Sequence, residues 1–204
     1  MRKERTELLT LLSRHRGDDA KEASDLDQMK AWALALEDPF ARSQPQAHFT
    51  GSAVVIDPAG ARVCLVHHRK LDRWLQPGGH AEPGDGGAID HTALREAAEE
   101  TGCRVLLHAN APRPLDVDVH TIPARPGDPA HLHLDVRFLV VAEDPERLSH
   151  DSAEARGARW FSWEEAMALV DEPALRRLLS KARASARGAT GERDPNLEHR
   201  EPRR

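Results

Sequence analysis

Residues 77–102 read PGGHAEPGDGGAIDHTALREAAEETG, and Arg95, Glu96, Glu99 and Glu100 fall within six positions of it. On a helix turning about 100° per residue, Glu99 lies about 60° to one side of Glu96 and Glu100 about 40° to the other. A helix here therefore presents three carboxylates outward on one narrow face, while Ala93, Leu94, Ala97 and Ala98 offer a small-residue side to a sheet. Like charges one turn apart repel by a few tenths of a kcal/mol, so a partner is needed. A divalent cation is one: Mg²⁺ takes carboxylate oxygens, waters and phosphate oxygens of a substrate. A solvated acidic face is the ordinary alternative for REAAEETG alone. The loop before the helix tips the balance toward a ligand, because Gly78, Gly79 and Gly84 let the backbone turn sharply, and Gly102 suits the left-handed position beyond the helix end.

Outward from this stretch, the chain divides into alternating patterns. Leu8, Leu9, Leu11 and Leu12, then Leu26, Met29, Ala33 and Leu36, repeat at helical spacing and predict two helices before any strand. Residues 41–46 (ARSQPQ) form a connector. Thr50 to Ile56 and Arg62 to His68, separated by a DPAGA turn, predict a β-hairpin. Strands are predicted again at 104–109, 116–122 and 131–142, the last with two unlike faces, and the proline-rich loop PARPGDPA is long enough to rim a site. Ser162 and Glu165 form a capping box that starts a further helix, followed by another from about Ala174 to Ala186. From about Ser185 apolar periodicity is lost, which predicts a disordered tail. Mixed strands with one central helix and others around it indicate an α/β layered sandwich.

Composition narrows the function. A chain of 204 residues with 39% hydrophobic content buries one good-sized core. A net charge of -5 argues against nucleic acid as the main ligand, since a phosphate backbone requires a basic face. Two cysteines, Cys64 and Cys103, in apolar surroundings read as buried thiols of a reducing compartment. With no apolar run near the ~18 residues of a membrane span and no signal-peptide pattern, a cytoplasmic protein without a membrane partner is expected.

Gly79 and the run Arg95-Glu96-Ala97-Ala98-Glu99-Glu100-Thr101-Gly102-Cys103 resemble the signature of the Nudix hydrolases: G, five residues, E, seven residues, then R-E-aliphatic-x-E-E-x-G-aliphatic. The second half matches at every fixed position. The first half departs, with Asp85 in place of the glutamate and nine residues instead of seven before Arg95; the extra pair is most simply assigned to Gly86-Gly87-Ala88. The similarity spans about residues 48–180. It implies a Nudix-type α/β/α sandwich with a mixed central sheet (48–184), an N-terminal helical extension packed on it (1–47) and the tail (185–204). It also implies a hydrolase of a nucleoside diphosphate derivative or related organic pyrophosphate, using Mg²⁺ or Mn²⁺. Carried over, Glu96, Glu99 and Glu100 hold the metal, the Gly79 carbonyl is a further ligand, and Arg95 orients a glutamate. Glu154, six residues before Trp160, stands where some relatives carry an additional catalytic acid. A Nudix-like module that binds a nucleotide without cleaving it is the alternative, and three intact glutamates argue against it.

Histidines, twelve in the chain, also stand out. His131, His133 and Asp135 alternate on one strand face that Arg137 continues, and His120 comes from the strand before. This face could line the substrate pocket, with Arg137 on a phosphate. It could also hold a second metal, Zn²⁺ or Mn²⁺, for which no complete ligand set is readable, or be partly solvated. His80 beside the glycine loop is a further candidate phosphate contact. The two N-terminal helices could cover the core or build a homodimer contact.

Overall fold

The computed structural model describes residues 2–127, 129–150 and 155–189. Two helices, α1 (Arg2–Arg14) and α2 (Ala20–Ala35), come first, with the Asp19 carboxylate accepting from Glu22 N at the start of α2. The predicted hairpin follows as β1 (Ala47–Ile56) and β2 (Arg62–His68), antiparallel, with Asp57 closing the turn by accepting from Ala61 N and Arg62 N. Two short strands that carry no periodic signal, β3 (Arg73–Leu75) and β4 (Gly78–His80), precede the acidic helix α3 (Ile89–Thr101). Then come β5 (Val105–Leu107), β6 (Asp116–Ile122), β7 (His131–Ala142), β8 (Ala155–Ser162), α4 (Trp163–Leu169) and α5 (Pro173–Ala189). The capping box at Ser162 and Glu165 is formed as expected. The last helix corrects one expectation: Ser185–Ala189 is helical, because Ala182 and Ala186 continue its buried stripe, and the rest of the expected tail lies outside the described residues.

One mixed sheet carries the fold, in the order β3-β2-β1-β7-β5, with β4 pairing β1, β6 pairing β7 and β8 pairing β2. β1 runs parallel to β7 along all of its own length, Ala47 opposite Leu132 through Ile56 opposite Val141; the other pairs are antiparallel. Because side chains alternate across a strand, these two build both cores. Phe49, Ala53 and Val55 with Leu134, Val136 and Phe138 pack against α1, α2 and α3, whereas Val54, Ile56 and Leu139 pack against α4 and α5. The result is the expected α/β/α sandwich.

The N-terminal helices join the core through charge as well as apolar contact. Leu8, Leu12, Leu26 and Met29 are buried in the α3-side core. On α2, Glu22 is fully buried and accepts from His15 Nε2 (2.7 Å), Lys181 Nζ of α5 (2.6 Å) and Val117 N of β6 (3.3 Å). Asp25 accepts from Val119 N at 3.1 Å. The carboxylates of α2 thus satisfy backbone N–H groups on the side of β6 turned away from β7, which blocks further strand pairing there. Among the described residues no helix is long and apolar enough to cross a membrane.

Candidate active site

The acidic helix lies against β1 through its small residues, Ala93 and Ala97 being fully buried as predicted. Its carboxylates are less alike than the helical wheel implies. Glu99 is open to solvent, its side chain 58% exposed, Glu96 lies under β4, and Glu100 is buried. The wheel makes all three point outward; β4 crossing the helix covers one, and the turn toward the core takes another.

Gly79 of β4 is where that covering occurs. A Cβ built on it would lie 2.4 Å from Glu96 Oε1, so the carboxylate rests directly on bare backbone and any side chain at Gly79 would displace it.

Arg95 organises the site. Its Nε donates to Asp85 Oδ1 at 2.9 Å and its Nη2 to Asp85 Oδ2 at 3.1 Å, a two-point pairing. Nη2 also donates to the His80 carbonyl (2.8 Å), while Nη1 donates to Glu96 Oε1 and Glu99 Oε2, both at 3.0 Å. Two of the three glutamates, the loop and β4 are thereby held by one rigid guanidinium. Asp85 accepts further from Thr92 Oγ1 and Glu82 N, each at 2.9 Å. Burial would raise the Asp85 carboxyl, but the bonds from Arg95, Glu82 and Thr92 outweigh it and hold it below the usual range. The Arg95 guanidinium is correspondingly raised, first by Asp85.

The two extra residues therefore do not separate Asp85 from Arg95. Gly86 (φ 64°) and Gly87 (φ 72°) adopt left-handed backbone, Ala88 N closes the turn onto Asp85 O, and α3 begins one residue later. The insertion is absorbed before the helix starts. A Cβ at Gly87 would also meet Glu4 Cγ of α1 at 2.3 Å, so the N-terminal helix passes directly over this turn. Gly102 closes α3 in the left-handed region as expected.

Other sequence candidates separate into three groups. Arg137 and Asp135 are corrections to the expected phosphate-binding face. Arg137 is 2% exposed and donates to Asp135 (2.8 Å), Asp118 (3.1 Å), Asp116 (3.4 Å) and the Ala174 carbonyl (3.4 Å). Asp135 also accepts from Thr50 and Ser52 of β1. Packing α5 over this part of the sheet turns a face that looked available into a closed ion network. His80 and His133 are brought together, Nε2 to Nε2 at 3.3 Å, beside His48, His131 and His120. Burial, and then the neighbouring imidazoles His80, His120, His48 and His131, push the His133 ring down to about 2, so it is neutral. His48 escaped sequence reading because β1 is read as a plain apolar strand; the alternation His48, Thr50, Ser52 was the signal available. Glu154 lies outside the described residues.

Glu96, Glu99 and Glu100 stand on one helix, with Glu96 seated on the bare backbone of Gly79, and carboxylate oxygens are the ligand type that a hard divalent cation takes. The profile of the NUDIX domain matches residues 48–182. The chain belongs to the Nudix family. Like the family's other hydrolases it has the sandwich fold, and its enzyme class is hydrolase. An Ap4A hydrolase of C. elegans, solved as a binary complex, is 20% identical, with a TM-score of 0.53 over 69% of this chain and 98% of that one. A NUDIX-family hydrolase of Clostridium perfringens is 21% identical, with a TM-score of 0.48 over 68% and 97%. This Nudix chain differs from the family pattern in its spacing but keeps a carboxylate on the box arginine.

Proposed function

We propose that this Nudix hydrolase cleaves the pyrophosphate bond of a nucleoside diphosphate derivative or related organic pyrophosphate, with Mg²⁺ or Mn²⁺ on Glu96, Glu99 and Glu100. The observation that carries this reading is Arg95 tying Asp85, Glu96 and Glu99 into one frame. A binding-only module has no use for carboxylates held at this cost in mutual repulsion.

When bound, the cation neutralises phosphate charge and lowers the pKa of water. The protein's own residues do the positioning. Arg95 Nη1 holds Glu96 and Glu99 side by side and offsets their repulsion, Gly79 leaves room for Glu96 against β4, and buried Glu100 presents its carboxylate from a fixed backbone. A carboxylate takes the proton of the attacking water as the new P–O bond forms and the bridging P–O bond breaks, releasing two phosphate-terminated products. Glu99, the open carboxylate, is best placed among the described box residues for this, with Glu154 retained as a second candidate.

The test is phosphate-product release from a panel of nucleoside diphosphate sugars, dinucleoside polyphosphates and nucleoside triphosphates, with Mg²⁺ or Mn²⁺. Chelation should abolish turnover. Glu99→Gln and Glu100→Gln should each remain folded by circular dichroism and lose most turnover; near-wild-type rates in both would sink the assignment. Binding of a panel member with no turnover under any metal condition would instead establish the binding module.

A further inference from the structure

The structure points to a second metal site, chemically distinct from the glutamate site and on the other face of β4. We propose that His48, His80 and His133 bind Zn²⁺ or a similar late first-row divalent cation. The inference does not depend on the function proposed above.

Strand register builds the cluster. His48 on β1 is paired with His133 on β7, and His133 with His120 on β6, while His80 on β4 pairs with Thr50, two residues along β1 from His48. Four adjacent strands, β4-β1-β7-β6, thus deliver an imidazole each to one region of one face. His131, two residues from His133, adds a fifth, its ring centroid 5.0 Å from that of His48. Because neighbouring residues alternate, Gly79 faces Glu96 and His80 faces the histidines, so β4 separates the two sites.

Donor atoms of His48, His80 and His133 all lie within 4.8 Å of one another. The Nε2 atoms of His80 and His133 are 3.3 Å apart. Two imidazole nitrogens each about 2.0–2.1 Å from a tetrahedral Zn²⁺ are separated by about 3.4 Å, so this spacing is that of a ligand pair. A single N–H···N hydrogen bond would also fit that pair alone, but it does not account for the third imidazole, His48. His131 Nδ1 is 2.8 Å from the Pro129 carbonyl and must donate to it; His120 Nδ1 is 2.9 Å from the Asp118 carboxylate and donates likewise. In the neutral imidazole, a ring that donates from Nδ1 in this way has its lone pair on Nε2. Such carbonyl and carboxylate contacts behind imidazoles are how proteins orient histidines around a metal. A region rich in imidazole lone pairs suits a borderline cation such as Zn²⁺, whereas Mg²⁺ prefers the oxygens across β4.

Three protein ligands leave one tetrahedral position for His131 or water. Occupation would fasten β4 to β1 and β7, and with it the His80 carbonyl that Arg95 holds on the other side.

The experiment uses the tag-free, chelator-treated chain of 204 residues kept in excess millimolar Mg²⁺. Co²⁺ titration should give one equivalent of intense visible absorption, characteristic of tetrahedral ligation, and Zn²⁺ should displace it. X-ray absorption on the Zn²⁺ form should show imidazole nitrogen scattering, a readout on the unaltered protein. His80→Gln and His133→Gln should each weaken binding by at least about 100-fold, while Glu99→Gln should leave it intact. The proposal is overturned if the unaltered chain gives no tetrahedral spectrum, if both histidine variants bind as well as it does, or if Glu99→Gln abolishes binding.

Discussion

Asp85→Asn isolates what the shortened carboxylate and lengthened loop accomplish. The substitution keeps the side chain's size but replaces one acceptor oxygen with an amide that points its own hydrogens at a donor. In the folded protein Asp85 is 4% exposed and the Arg95 side chain 20%, and two of the four donors reaching Asp85 come from that one guanidinium. Breaking a buried pair by removing one partner costs about 3–5 kcal/mol. Partial exposure of Arg95 and its remaining bonds to Glu96, Glu99 and the His80 carbonyl reduce this to about 2–3 kcal/mol. Urea unfolding should register that loss. Turnover should fall further than stability explains, by about 10²-fold, because an arginine released from Asp85 no longer fixes Glu96 and Glu99, and displacements near 1 Å carry such rate penalties. A double-mutant cycle with Arg95→Met should give a coupling of at least about 1 kcal/mol. If Asp85→Asn unfolds within 0.5 kcal/mol of the parent and keeps its turnover, the pairing has no role in holding the site and the account of the insertion fails.

Two further outcomes follow from geometry described above. Gly79→Ala should leave stability within about 1 kcal/mol, since the clashing atom is the movable end of Glu96, yet should depress Mg²⁺-dependent turnover and raise the Mg²⁺ concentration needed; unchanged metal dependence would mean Glu96 is not a ligand. Glu22→Gln should destabilise by about 3–5 kcal/mol in thermal or urea unfolding. Burial works to raise the Glu22 carboxyl from its ordinary 4.5, but His15, Lys181 and Asp18 N, with Arg177 also close, bring it well below. Its stabilisation is therefore present above about pH 4.5 and lost as the pH falls through the folded value, so the parent should lose stability below that pH more steeply than the variant. Nearby Asp116, raised by burial despite Arg177 and Arg137, contributes with the opposite sign and softens the slope; parallel acid profiles would contradict the assignment.

The elements with regular apolar spacing were legible in the chain: both N-terminal helices, the hairpin, α3 and β7 appear within a few residues of expectation because their periodicity is the cause of their folding. β3 and β4 were not, being three residues each and defined by their partners. The carboxylates could be placed on a helix, but their unequal exposure comes from β4, which no helical wheel contains. Arg137 misled for a related reason. Its polar neighbours on β7 look like a wet face until α5, far along the chain, closes over them. His48 became visible as part of a cluster only when parallel pairing set it beside His133.

The contact of Gly87 with Glu4 joins two departures from the family pattern that sequence comparison counts separately. The turn that accommodates the added residues is held from within the matched segment by Thr92 and Arg95 on Asp85, and α1 also roofs it, while α2 ties the same extension to β6 and α5. A boundary drawn at residue 48, where the family match begins, thus cuts through a working surface. Shortening the chain to its recognisable part would bare both the glycine turn behind Arg95 and the backbone of β6. The matched stretch and the packed unit are not the same length of this polypeptide.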